Sequence, residues 1–450
     1  MTAVRPKGAA LRYGVVLLPL LLIFYYASTL FESQVLNLIS LLVFFVFLAR
    51  FVSSEAFAFN FPYLFSFSTT SIVIFVSEFG VYFSEIDSYG NLSGATARAA
   101  CLFSIFMSGF AFSYSLGVRK HIVLPKLKGL DGSVVLALVV VCFLCVLASL
   151  FTQVKYGFPL LNGWDRFYYW ANVAPSYQKE LHSLIISSSL VFSYAYYSGI
   201  IGRWLLLVWL FSSAIALFLA SEKFSGFFGM ILFWLPAMIV MGRARFSVIS
   251  LSKAGIVMLA LVMISIGYNY IQTLGGGLVD KLANRVSLQA QMGWALDDLS
   301  DFSPKSLDII VTSFLGLTGS TAEKGMTYLM YLIAPGDLVD RFVEGGVRFT
   351  APFPANVTYF YGFFFAPIIV FLISFVPGFA AAVCRAAIVQ RNFIYYFVSL
   401  KFGMFLFANI IMGEQHLFFS IKFAVYFSIL FLLPFLLRLY MAGRAGVLSD

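Results

Sequence analysis

Apolar residues run along this chain in long blocks separated by short polar breaks. A helix of about 20 apolar residues matches the hydrocarbon thickness of a bilayer. By that measure the pattern predicts about twelve transmembrane helices, near 13–31, 35–52, 61–84, 96–118, 133–152, 183–201, 204–221, 224–241, 254–274, 355–383, 393–412 and 416–438. The stretch 204–241 is broken only by Ser221-Glu222-Lys223, which predicts a tight turn. The one long interruption is 275–355, which mixes charged residues with apolar pieces too short to span, such as Leu307–Leu317 and Met326–Ala334. A simple helix connection is only a few residues long. The stretch therefore predicts a large extramembrane loop with amphipathic helices at the membrane surface. A second long loop is expected at 153–182. The expected fold is an all-α polytopic membrane protein, with 1–450 as a single integral membrane domain.

Composition agrees. Hydrophobic residues make up 61% of the 450 positions and charged residues 11%, where a soluble domain carries about 25% charged residues. The net charge of +9 suggests nucleic acid at first sight. Its distribution explains it otherwise: Arg5, Lys7, Arg12, Arg50, Arg119, Lys120, Arg203, Arg243, Arg245, Arg385 and Arg391 fall in the termini and in alternate connections. Basic residues in short loops mark the cytoplasmic side, so both termini are expected inside and both long loops outside. The first apolar run is too long for a signal peptide and lacks a clear cleavage site, so it is read as a first transmembrane helix. Cys142 and Cys145 form a C-x-x-C inside an apolar run, where packing explains them. There is no zinc spacing and no Walker A loop, which excludes an ATP-driven pump. Asp297, Asp298 and Asp301 come nearest to a metal cluster, and solvation of a helix face accounts for them equally well.

The candidate chemistry lies on the expected outer face, where cations should be depleted. Arg166, Lys223, Arg285, Arg341 and Arg348 are all there, and as a set they suit phosphate or pyrophosphate oxygens. The alternative is salt bridging with acids of the same loops. In the first long loop Asp165 and Arg166 sit among Trp164, Tyr168 and Tyr169. Those rings can carry a sugar, with the carboxylate binding hydroxyls, or they form an interfacial aromatic belt. Glu222 and Lys223 either pair with each other or serve as proton acceptor and phosphate ligand. Glu78, Lys401 and Lys422 fall inside expected spans and are functional candidates by default. Glu414 and His416 close the eleventh span. His416 is a candidate general base, against the plainer reading of a polar interface residue, and His182 stands in the same position.

Three patches carry a resemblance: Gly157-x-Pro159-Leu160-x-x-Gly163-x-x-Arg166, Ser221-Glu222-Lys223-x-Ser225-Gly226, and Arg348 to Pro352 through Tyr361-Gly362-Phe363. With the loop layout, they resemble Wzy-type O-antigen polymerases, relatives of the O-antigen ligases. The resemblance implies a metal-independent GT-C glycosyltransferase without cofactor in a bacterial inner membrane. It would act at the periplasmic face and join oligosaccharide repeat units carried on undecaprenyl pyrophosphate. A chain-length regulator protein is the further partner it implies; nucleic acid is not. Arg166, Lys223, Arg285, Arg341 and Arg348 would bind pyrophosphate, Glu222, Asp165 or His416 would take the acceptor proton, and Trp164, Tyr168 and Tyr169 would bind sugar. The Arg-x10-Gly spacing of some members is not matched. The large loop holds no histidine, which departs from the ligases and favours a polymerase. A ligase and a lipid-linked oligosaccharide flippase or transporter are the alternatives.

Overall fold

The computed structural model describes residues 9–52, 54–120, 122, 124–125, 131–164, 166–222, 225–242, 287–289, 291–317, 323–344, 347–432 and 435. Among the described residues helices dominate, and the two strands, β1 (Tyr82–Phe83) and β2 (Ser88–Tyr89), form one small antiparallel hairpin. Six helices among the described residues are long and apolar enough to cross a membrane, and four shorter apolar helices accompany them, at Leu17–Leu30, Arg203–Leu219, Ser225–Val240 and Ile421–Leu432. This is an all-α fold of membrane character. The expected ninth span, 254–274, lies outside the described residues.

The chain forms two compact units. The first comprises 1–123, 279–384 and 398–450, and the second 124–278 and 385–397. In the first unit α1 (Ala9–Leu30), α2 (Gln34–Val52) and α3 (Phe57–Ser77) pack around α4 (Ala95–Arg119). Small residues along α4, among them Ala97, Ala100, Ser104 and Ser108, are buried and let neighbouring backbones approach. A Cβ on Gly109 would stand 2.8 Å from the Phe371 carbonyl oxygen. Phe67 of α3 stacks on Phe103 at 4.1 Å between ring centres.

The span expected at 61–84 ends earlier, at Ser77, because Glu78 leaves it to cap α4. Its carboxylate accepts from the backbone N–H groups of Ser93 at 3.1 Å, Ala95 at 3.1 Å and Thr96 at 3.3 Å, and from Asn37 Nδ2 at 2.8 Å. An anion at a helix N-terminus meets orphan donors and the positive end of the helix dipole. Glu78 is thus a structural cap rather than a candidate for chemistry. One turn on, Arg98 is buried and pairs with Asp297, its Nε lying 3.0 and 3.1 Å from the two carboxylate oxygens. Asp297 lies on α10 (Gln291–Asp298), so this pair ties the 275–355 segment to α4. Of the aspartate cluster only Asp297 leaves the solvated face in this way; Asp298 and Asp301 are exposed as expected.

The rest of that segment consists of short helices. They are α11 (Leu307–Ile309, continued by a π turn over Ile310–Phe314), α12 (Gly325–Ile333) and α13 (Gly336–Glu344). Then follow α14 (Ala355–Ile373), α15 (Phe375–Val389), α16 (Phe393–Ile411), a 3-10 turn over Gln415–Phe419, and α17 (Ile421–Phe427). Gly362 interrupts α14 at φ 70°. A Cβ there would lie 2.5 Å from the Phe302 carbonyl oxygen, and the break lets Phe363 N–H donate to Asp301 at 2.8 Å.

The second unit contains α5 (Asp131–Tyr156), α6 (Arg166–Asn172), α7 (Tyr177–Tyr197), α8 (Arg203–Leu219) and α9 (Ser225–Val240). Serines 187, 188, 189 and 193 of α7 donate back to carbonyls of their own helix, which lets a polar-looking stretch be buried. Trp209 of α8 stacks on Phe192 at 4.3 Å and donates to Ser188 Oγ at 3.2 Å.

Candidate functional site

In each unit a buried glutamate draws together residues singled out in the sequence. In the second unit this is Glu222, in the turn between α8 and α9. Gly157 and Gly163, at φ 98° and 65°, shape the preceding loop. Leu160 N–H docks on the Leu219 carbonyl at 3.2 Å, which brings the start of α6 and Arg166 to the turn. Arg166 Nη1 donates to Glu222 Oε2. His182 Nε2 lies 2.8 Å from the same oxygen, while Ser225 Oγ and Gly226 N–H donate to Oε1 at 2.8 and 2.9 Å. A Cβ on Gly226 would meet Glu222 Cγ at 2.8 Å, so glycine is what admits the carboxylate.

Burial pushes the Glu222 carboxyl up, but the hydrogen bonds from His182 and Gly226, the Arg166 charge and Ser225 outweigh it and bring it down to about 2. Glu222 is a fixed anion with every donor turned inward. That suits positioning Arg166 better than accepting a proton, the role expected of it. Of the three expected sugar-binding rings, Tyr168 is 53% exposed and Trp164 half-buried, whereas Tyr169 is fully buried and stacks under Trp164 at 6.2 Å. Tyr169 therefore supports the platform and offers no face to a ligand. Asp165 and Lys223 lie outside the described residues, as does Arg285.

In the first unit the carboxylate is Glu414, just past the end of α16, and it brings together two of the expected residues. Arg348 Nη1 donates to Glu414 Oε1, and His416 Nδ1 lies 3.2 Å from Oε2. These partners are far apart in sequence. Gly325 and Gly316, at φ 53° and 61°, let α12 and the π turn close over them. A Cβ on Gly325 would lie 2.3 Å from Glu414 Oε2, and one on Gly316 2.7 Å from His416 Cβ. Burial raises the Glu414 carboxyl, and Arg348 and the Met326 N–H at the start of α12 offset this only in part. Burial, then Lys324 and Arg348, lower His416 and keep its ring neutral at pH 7.

These side chains open on a cavity of ≈ 580 Å³ lined by Glu323, Lys324, Thr327, Arg348, Asn409, Glu414 and His416 with apolar neighbours. That size is within the roughly 300–1,000 Å³ of small-molecule sites. A neutral imidazole beside a carboxylate, with a guanidinium and an ammonium on the same wall, can take a proton while stabilising a departing anion. Arg341 stands apart on α13 in a surface pair with Asp337 of the same helix, at 3.4 Å. Lys422 lies over the Phe405 ring at 5.2 Å. Among the described residues no group of three His, Cys, Asp or Glu side chains is placed to hold a metal.

Sequence reading singled out Arg348 and His416 but not Lys324 or Asn409. It noted Glu414 without giving it a role. Lys324 sits beside Gly325 at the start of α12, a glycine whose role depends on a contact nearly ninety residues away and has no local signature.

A family model described as a family of unknown function, DUF6418, matches residues 320–427, a segment that contains the whole wall of this cavity. No curated protein and no solved structure matches the chain.

Proposed function

We propose that the chain is a membrane-embedded glycosyltransferase that polymerises lipid-pyrophosphate-linked oligosaccharide repeat units, with the Arg348–Glu414–His416 cavity as its reaction centre. The observation that carries this reading is a neutral histidine held beside a buried carboxylate, with Arg348 and Lys324 on the wall of the same cavity, at the end of an apolar helix. A membrane-anchored substrate would reach such a place from the bilayer. In the step proposed, His416 takes the proton of an acceptor hydroxyl. The oxygen attacks the anomeric carbon of the growing chain, the bond from that carbon to the lipid pyrophosphate breaks, and the pyrophosphate leaves as an anion toward Lys324 and Arg348. Atoms and charge balance without a further reactant. Topology follows the charge pattern: about twelve spans, both termini cytoplasmic, and the cavity on the periplasmic side of a bacterial inner membrane.

The test is a gel ladder of surface polysaccharide from a deletion strain complemented at matched protein levels. Wild type and Arg341→Ala should restore the ladder, whereas Arg348→Ala and His416→Ala should leave glycans of one repeat. A full ladder from both of the latter variants would exclude this cavity. Loss of every attached sugar in the deletion strain would point to a ligase or flippase instead.

A further inference from the structure

The cavity wall carries three polar atoms that are sequestered from solvent and make no hydrogen bond of good geometry: Asn409 Nδ2, Glu414 Oε2 and His416 Nδ1. Asn409 and Glu414 are 6% and 5% exposed. Such atoms are costly unless something completes their hydrogen bonds. Their polarity defines what that is. Asn409 Nδ2 can only donate, an ionised Glu414 Oε2 can only accept, and a neutral His416 with its proton on Nε2 accepts at Nδ1. The two acceptors lie 3.2 Å apart without the alignment of a hydrogen bond between them. An ionised carboxylate or a phosphodiester-type linkage brings only acceptors and would leave both unsatisfied. Hydroxyls both donate and accept, and two of them on one ring supply the two donors and the acceptor that match all three. The charges around the cavity agree, because Lys324 and Arg348 are balanced by Glu323 and Glu414.

From this complementarity we infer that the wall formed by Asn409, Glu414 and His416 is a subsite for a neutral, hydroxyl-rich ring. Asn409 is its selecting residue, and the anionic group is left to Lys324 and Arg348. That the ring is a sugar rests on the glycosyltransferase reading; that the ligand must donate as well as accept hydrogen bonds does not. The Asn409 amide accepts no proton in the reaction. It fixes which oxygen of the ring faces His416.

The test uses the full chain in detergent micelles and saturation-transfer NMR, with methyl galactoside and N-acetylglucosamine as neutral probes and inorganic pyrophosphate as the anion. At least one neutral probe should bind wild type and bind Asn409→Asp about tenfold more weakly, the loss of one hydrogen bond to a buried group. Asn409→Ser, which keeps a donor, should fall between them, and it also serves should the Asp variant fail to fold. Pyrophosphate binding should be unchanged in both and weakened in Lys324→Ala. Absence of neutral-probe binding to wild type, neutral-probe affinity untouched by both Asn409 variants, or pyrophosphate displacing the sugar from wild type would each overturn the subsite. The two readings fail separately. Asn409-dependent sugar binding with an unchanged ladder in the His416→Ala strain would overturn polymerisation alone. A collapsed ladder with Asn409-independent sugar binding would overturn the subsite alone.

Discussion

At the scale of single residues, two buried glutamates behave in opposite ways. Glu222 accepts from four donors and is held at about 2, whereas Glu414 is raised above its ordinary value beside a histidine that is lowered. The consequences separate by pH. A carboxyl depressed on folding contributes stability above its ordinary value of 4.5 and loses it as pH falls toward 2. Unfolding temperatures of the purified chain should therefore drop across that window, and Glu222→Gln should flatten the drop while lowering stability at pH 7. An equally steep drop in Glu222→Gln would assign the acid sensitivity to other groups. In the proposed reaction His416, in contrast, can act as a base only when neutral. Turnover should hold down to a pH below the usual histidine range and then fall as the ring protonates, and His416→Gln should lower it by about 10²–10⁴-fold, the usual weight of a general base. A turnover that rises on acidification would assign the proton transfer elsewhere.

At the scale of elements, what positions the chemistry is close backbone approach, and this was only partly legible in the sequence. The spacing of Gly157, Gly163 and Arg166 and the Ser225-Gly226 pair marked the turn around Glu222 beforehand, because turn glycines are local signals. The partners of Arg348 and Arg166 were not legible. Salt bridging within a loop was the alternative to an anion site, and among the described residues Arg341 with Asp337 and Lys305 with Asp301 follow that pattern. Arg348 and Arg166 reach acids 66 and 56 residues away in sequence, which tertiary packing decides. Glu78 and Asp297 were misread for the same reason: the donors that cap one and the arginine that pairs with the other come from distant or folded-back backbone. Two variants test these elements. Gly325→Ala should displace Glu414 and abolish turnover in a chain that still folds, while Gly336→Ala, whose Cβ would meet nothing within 4 Å, should be silent. Asp297→Ala should lower stability on the order of 3–5 kcal/mol, because it leaves Arg98 charged and buried. Thermal unfolding of that variant reads this directly, and an unchanged midpoint would mean that α10 is held to α4 by packing alone.

At the scale of the whole molecule, class was the most legible property. Long apolar blocks can be buried only in lipid or in one another, and the structure gives helices of that kind throughout the described residues. Span count was less legible. Apolar length alone does not tell where a capping glutamate ends a helix, as at Glu78, or where a glycine breaks one, as at Gly362. The cavity walled by Arg348, Glu414 and His416 is proposed to join lipid-linked glycan units. The most direct measurement is chain growth by the purified protein. The chain would be reconstituted in nanodiscs and given the single-repeat lipid-linked glycans extracted from the deletion strain, with products read on a gel and free lipid pyrophosphate counted. The expected products are glycans longer than one repeat, with one lipid pyrophosphate released per bond formed, and neither product from His416→Ala. No growth from the wild-type protein in nanodiscs, or equal growth from His416→Ala, would contradict it.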